Sequence, residues 1–173
     1  MCIEGVRLIQ DFTLNLNLEQ LQTSLSKFVN DKGRLKSNQG GYQSNLLEPE
    51  DMPSQLKKEI DLKVHNPASK LLGWWVNVNG YGNTNACHDP YDRTPPAGPV
   101  GISGVFYISV PEKNMGDILF QGTMLRSHPT LYDPPLRYEP KPNRLLIFPS
   151  DCFHSVESNQ SNKKRMSLAF NYT

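Results

Sequence analysis

"RMSLAFNY", residues 165–172, decides the fold, because Arg165, Ser167, Ala169 and Asn171 alternate with Met166, Leu168, Phe170 and Tyr172. Successive side chains of a strand point to opposite faces, so a period of two marks a half-buried strand and not a helix. Two upstream stretches repeat the pattern. "GWWVNVN" (73–79) sets Trp74, Val76 and Val78 against Trp75, Asn77 and Asn79. "ISGVFYISV" (102–110) sets Ile102, Gly104, Phe106, Ile108 and Val110 against Ser103, Val105, Tyr107 and Ser109. "GDILF" (116–120), "RLLIF" (144–148) and "HSVE" (154–157) add shorter strands, and 11 of the 14 prolines crowd the connections between residues 90 and 149. Short strands joined by Pro-rich loops predict an antiparallel barrel or sandwich.

The first part of the chain reads differently. "NLEQLQTSLSKFVN" (17–30) places Leu18, Leu21, Leu25 and Val29 at helical spacing. "EPEDMPSQLKKEIDLKV" (48–64) opens with acids and Pro53, a helix-start signature, and carries Leu56, Ile60 and Leu62. "SNQGGYQSN" (37–45) reads as a Gly-rich turn between them. The expectation is one domain over 1–173, mostly helical through residue 66, with a β core from 71 to 173.

Bulk properties narrow the function. With 18 basic and 17 acidic residues the net charge is +1, and no basic stripe offers nucleic acid an electrostatic footprint. No apolar run reaches membrane-spanning length, and "MCIEGVRLIQD" lacks a basic start. A cytoplasmic, soluble protein is expected, and its oligomeric state is not written in the sequence. Cys2, Cys87 and Cys152 are too few for a disulfide framework.

Each strand has a polar face with little charge: Asn77 and Asn79, Tyr107 and Ser109, Arg165, Ser167 and Asn171. A face in water is usually richer in Lys and Glu, so a small barrel with a partly polar interior fits better. Of four histidines, His65 and His128 read as surface residues, whereas His88 and His154 each adjoin a strand. A turn centred near Gln160 or Ser161 would bring His154 opposite about Ser167, with Arg165 one step along the same face. A metal ligand beside a guanidinium and a hydroxyl suits a dianion that chelates metal at one end and meets Arg165 at the other.

The C-terminal hundred residues resemble the Fe(II)/2-oxoglutarate-dependent dioxygenases, above all the short ones common in phage and marine microbial genomes. The matching stretches are "WVNVN" (75–79), His88 after an Asn-containing loop, "SGVFYISVP" (103–111), "RLLIFPS" (144–150), "HSV" (154–156) and "RMSLAFNY" (165–172), with "SNQGGYQSN" upstream. The resemblance implies a double-stranded β-helix, a jelly-roll core, with Fe(II) held by His88 and His154. It implies that Arg165 and Ser167 bind the distal carboxylate of 2-oxoglutarate, with Tyr107 and Asn77 lining the same pocket. It implies an oxygenase that hydroxylates a small molecule or a protein side chain and releases succinate and CO2.

The family's second ligand stands two residues after the first His, and here that position is Pro90, which has no donor atom. Three completions are open: Asp92 from a turn at "DPYD", which is preferred; Asp89; or two histidines with no carboxylate. Two rivals stand beside the oxygenase. Cys87, His88, Cys152 and His154 are the inventory of a structural zinc site, although adjacent strand residues point apart. A jelly-roll binding module that has lost its iron is the other. No loop carries a signature that names the substrate.

Overall fold

The computed structural model describes residues 9–29, 32–88, 101–123 and 130–173. In chain order the strands are β1 (Gln10–Thr13), β2 (Asn38–Gln39), β3 (Tyr42–Gln43), β4 (Leu71–Asn79), β5 (Thr84–His88), β6 (Ile102–Ser109), β7 (Ile118–Thr123), β8 (Thr130–Tyr138), β9 (Arg144–Pro149), β10 (Cys152–Val156) and β11 (Arg165–Tyr172). They form a six-stranded sheet ordered β1-β9-β6-β11-β4-β3 and a five-stranded sheet ordered β2-β5-β10-β7-β8. Every pairing is antiparallel. The alternating stretches are strands of an antiparallel sandwich, as predicted, and the architecture is the double-stranded β-helix that the family resemblance implies, with two α-helices before its core.

Helix α1 (Leu18–Leu25) starts where Asn17 accepts a hydrogen bond from the Gln20 amide, and it buries Leu21 and Leu25. Helix α2 (Ser54–Val64) buries Leu56, Ile60 and Val64, one turn apart. Both pack on the outer face of the six-stranded sheet, in one cluster with Trp74, Val76, Phe106, Ile108, Leu168 and Phe170. Full burial of Leu25, Leu56 and Ile60 stabilises the fold by roughly 1.5–3 kcal/mol per side chain. Gly104 is required on this face, since a Cβ there would come within 2.2 Å of the Phe170 ring. A smaller apolar cluster lies between the sheets, formed by Val105, Tyr107, Ile118, Phe120, Leu146 and Phe148 among others.

The main difference from the sequence reading lies in "SNQGGYQSN". It is more than a turn: β2 pairs with β5 in one sheet and β3 with β4 in the other. Gly40, at φ 78°, makes the reversal between them. These few residues therefore tie the edges of both sheets together at one end of the barrel. The Pro-rich stretch around Pro134 and Pro135 is likewise a strand, β8, and it lies at a sheet edge, where proline is tolerated. No helix among the described residues is long and apolar enough to cross a membrane.

Candidate functional site

The inner face of the six-stranded sheet is assembled by register. Gln43, Asn77, Ser167 and Tyr107 lie side by side across β3, β4, β11 and β6. The next inner row is Trp75, Ala169, Val105 and Leu146, and the next Gly73, Asn171, Ser103 and Phe148. These rows, apart from Leu146 and Gly73, wall a cavity of about 630 Å³ whose lining also includes His88, Ile118 and His154 from the second sheet. The polar faces of the strands thus line a cavity inside the barrel. Ser103 and Asn171 of this lining are joined by a hydrogen bond of 2.7 Å, and Ser103 is joined to the buried Ser150 by one of 2.8 Å.

His154 does not pair with Ser167 as the hairpin reading predicts. Strand β10 pairs with β5 and β7, whereas β11 lies between β4 and β6 in the other sheet. The reason lies in the connection. Asn159 is fully buried and donates from Nδ2 to the carbonyls of Asn79 and Lys163, while its Oδ1 accepts from the Ser161 amide. This clamp carries the chain from one sheet to the other, a crossing that the local sequence resembles only as a turn. His154 and Arg165 consequently belong to opposite walls of one cavity.

The register partner of His154 is His88, and their ring centroids are 4.4 Å apart. Pairing shifts on both sides of His154, between Phe153 and His154 toward β7 and between His154 and Val156 toward β5. Such irregularities re-aim a side chain next to a site. The Nδ1 of His154 lies 3.1 Å from the Cys152 carbonyl, and the Nδ1 of His88 lies 2.8 Å from the Ala86 carbonyl. A carbonyl only accepts, so each Nδ1 carries a proton and Nε2 is the nitrogen that a metal would take. Burial, reinforced by the neighbouring His88, pushes the His154 pKa down to about 3. That imidazole is neutral near pH 7, the form that ligates. The rings of Phe148 and Phe120 shield it, at 5.0 and 5.9 Å.

On the other wall, Arg165 is 3% exposed. Its Nη1 donates to the carbonyls of Met115 and Gly116, at 3.1 and 2.6 Å. Gly116 makes this approach possible: its φ is 86°, and a Cβ would lie 2.2 Å from the Glu157 carbonyl. The guanidinium stands 5.7 Å from the Tyr107 ring centroid. Its Nε is sealed from solvent with no hydrogen-bond partner, and no carboxylate pairs with it among the described residues. Burial lowers the pKa of Arg165 and raises that of Tyr107, which keeps the phenol protonated. A buried cation with an unused donor calls for an anion. The donor set therefore fits an acidic cosubstrate on one wall and a metal on the other.

Asp89, Pro90 and Asp92 lie outside the described residues, as do His128 and Cys2. Among the described residues no three His, Cys, Asp or Glu converge. The zinc arrangement does not form: Cys87 donates to Gln121 Oε1 at 3.2 Å, and Cys152 is packed in the apolar cluster between the sheets. His65 ends α2 in the left-handed conformation, away from the cavity. Trp74 belongs to the core, donating to the Glu48 carbonyl at 2.8 Å, whereas Trp75 is a wall of the cavity with Arg34 stacked at 5.0 Å. Gln43 is a residue that motif reading does not single out; only its position in the edge strand, in register with Asn77, reveals it.

Comparison with known proteins agrees with this geometry. Residues 73–171, more than half of the chain, match the family model described as "Putative 2OG-Fe(II) oxygenase". The fold is similar to a prolyl-4-hydroxylase from Pseudomonas putida, at TM-score 0.64 and 14% identity over 96% of this chain and 92% of that one. It is similar to the 2-oxoglutarate-dependent carbocyclase SnoK of nogalamycin biosynthesis, at TM-score 0.71 and 11% identity over 99% and 83%. It is also similar to a prolyl hydroxylase from Trichoplax adhaerens solved with a hypoxia inducible factor peptide fragment, at TM-score 0.65 and 13% identity.

 The covered share of that Trichoplax chain is 84%, against 96% of this one. At these identities the likenesses speak for the fold alone. No curated protein matches the chain. The matched family model, spanning both histidines, Arg165 and Ser167, is what assigns the activity class: the chain belongs to the 2OG-Fe(II) oxygenases, whose metal is Fe(II) and whose cosubstrate is 2-oxoglutarate.

Proposed function

We propose that this oxygenase hydroxylates a small molecule or a protein side chain, converting 2-oxoglutarate to succinate and CO2. Nε2 of His88 and Nε2 of His154 would hold Fe(II), with Asp92 as the third ligand and Asp89 as the second choice. Arg165, through Nε, and Ser167, through its hydroxyl, would take the distal carboxylate of 2-oxoglutarate, with Tyr107 and Asn77 beside it. Iron and cosubstrate together supply the oxidising chemistry; the chain supplies position and environment. The carbonyls of Cys152 and Ala86 orient the imidazoles, and Phe120 and Phe148 keep water away from His154. The Trichoplax prolyl hydroxylase, solved with a peptide, supports keeping protein side chains in the substrate class. SnoK is a carbocyclase, so hydroxylation itself is a point for experiment.

One observation carries the reading: two facing imidazoles, 4.4 Å apart, share a cavity with a buried guanidinium whose Nε has no partner. The test is an anaerobic titration of metal-free protein with Fe(II) and 2-oxoglutarate, followed by the visible metal-to-ligand charge-transfer band. The band is expected only with both present, and its absence sinks the proposal. Asp92→Ala and Asp89→Ala, made separately, should lower iron affinity in one case only. Equal retention in both would leave a two-histidine site.

A further inference from the structure

Arg165 and Gln43, which both line the cavity, each carry a buried polar atom without a hydrogen-bond partner, and these two atoms have opposite hydrogen-bond character. Arg165 Nε can only donate. The other is the side-chain carbonyl Oε1 of Gln43, which can only accept. Gln43 is 4% exposed and lines the cavity at the β3 edge of the inner row that continues through Asn77 and Ser167 to Tyr107. Its backbone is fixed as well: β3 pairs with β4, and the Gln43 carbonyl accepts from the Arg34 amide at 2.8 Å. A buried acceptor left unpaired is unfavourable, so a ligand that satisfies it is preferred over one that does not.

2-Oxoglutarate at neutral pH is a dianion with two carboxylates and a keto oxygen. It has no N–H or O–H. It can satisfy Arg165, but it has nothing to give to Gln43. We infer that Gln43 is a substrate-binding residue, and that the substrate places an N–H or O–H donor against its Oε1. The inference rests on the oxygenase reading and narrows the substrate to an amide, amine or alcohol that donates within the cavity. Trp75 and Val105, in the next inner row, give such a molecule an apolar wall beside that donor.

The test uses the full chain loaded anaerobically with Fe(II) and 2-oxoglutarate, and two probes that differ by one donor, 2-piperidinone and its N-methyl derivative. Binding is read from tryptophan fluorescence, since Trp75 lines the cavity. The N–H probe should bind about ten-fold more tightly in the wild type. That preference should vanish in Gln43→Leu and persist in Gln43→Glu, which keeps an acceptor. Equal affinity for the pair, or no binding of either, overturns the inference. So does a weakened Kd for 2-oxoglutarate in Gln43→Leu, which would reassign the residue to the cosubstrate. The charge-transfer band of the wild type separates the two readings. If the band forms while the probes are not distinguished, the oxygenase stands and only the role of Gln43 falls. If it never forms, the oxygenase reading falls first.

Discussion

The two faces of β11 both carry buried side chains and do opposite things. Outward, Leu168 and Phe170 are wholly enclosed against the helices. Inward, Arg165 and Ser167 are each 3% exposed, yet they border a cavity. Burial on the outer face stabilises the fold at roughly 25 cal/mol per Å² of apolar surface. Burial on the inner face takes a guanidinium out of water with no carboxylate in ion-pair contact with it among the described residues, Asp117 acting on it only from farther off, and this is unfavourable until an anion arrives. One strand therefore stores stability on one side and readiness to bind on the other. The alternation of a strand keeps the two apart.

That division can be broken by experiment. The largest effect is expected at Arg165. Arg165→Ala should weaken 2-oxoglutarate binding by about 2–5 kcal/mol, measured by calorimetry, while Fe(II) binding persists. Loss of the metal as well would make Arg165 structural and erase the distinction between faces. On the outer side, Leu56→Ala should lower stability by about 3 kcal/mol in urea denaturation and leave the Kd for 2-oxoglutarate within about two-fold. A Kd that moved with stability would show that the faces are coupled through the sheet.

The smallest effect concerns Tyr172, whose hydroxyl donates to Asp61 Oδ1 at 2.6 Å and ties β11 to α2. Burial, and then this bond, raise the pKa of Tyr172 above that of an exposed tyrosine. Below about pH 10 both folded and unfolded states keep the proton, and the bond's contribution is fully present. Above it the unfolded chain ionises first, so the contribution declines as pH rises. Tyr172→Phe should therefore be less stable than wild type by about 1 kcal/mol near pH 8, with the gap closing above about pH 10. A gap that widened with pH would contradict the assignment.

Much of this was legible in the chain itself. Period-two alternation in 73–79, 102–110 and 165–172 identifies the strands and also which residues share a face, because that follows from backbone geometry alone. Helical spacing identifies α1 and α2 for the same local reason. The polar content of the inner faces predicts a cavity with no long-range information. The partners of those strands were not legible. The segment around Asn159 has the composition of a tight turn, and only its buried contacts with Asn79 and Lys163 send β11 to the other sheet.

Residue types and alternation were thus set locally, by side-chain chemistry and the pleat of a strand. Tertiary structure alone decided that His154 faces His88, and that Arg165 meets them from the opposite wall. It alone decided that Gln43, in a stretch that reads as a turn, has a buried acceptor in the same cavity. The physical reason is that pairing between strands far apart in sequence depends on which faces can be buried together, a property of the whole sheet and not of any one segment.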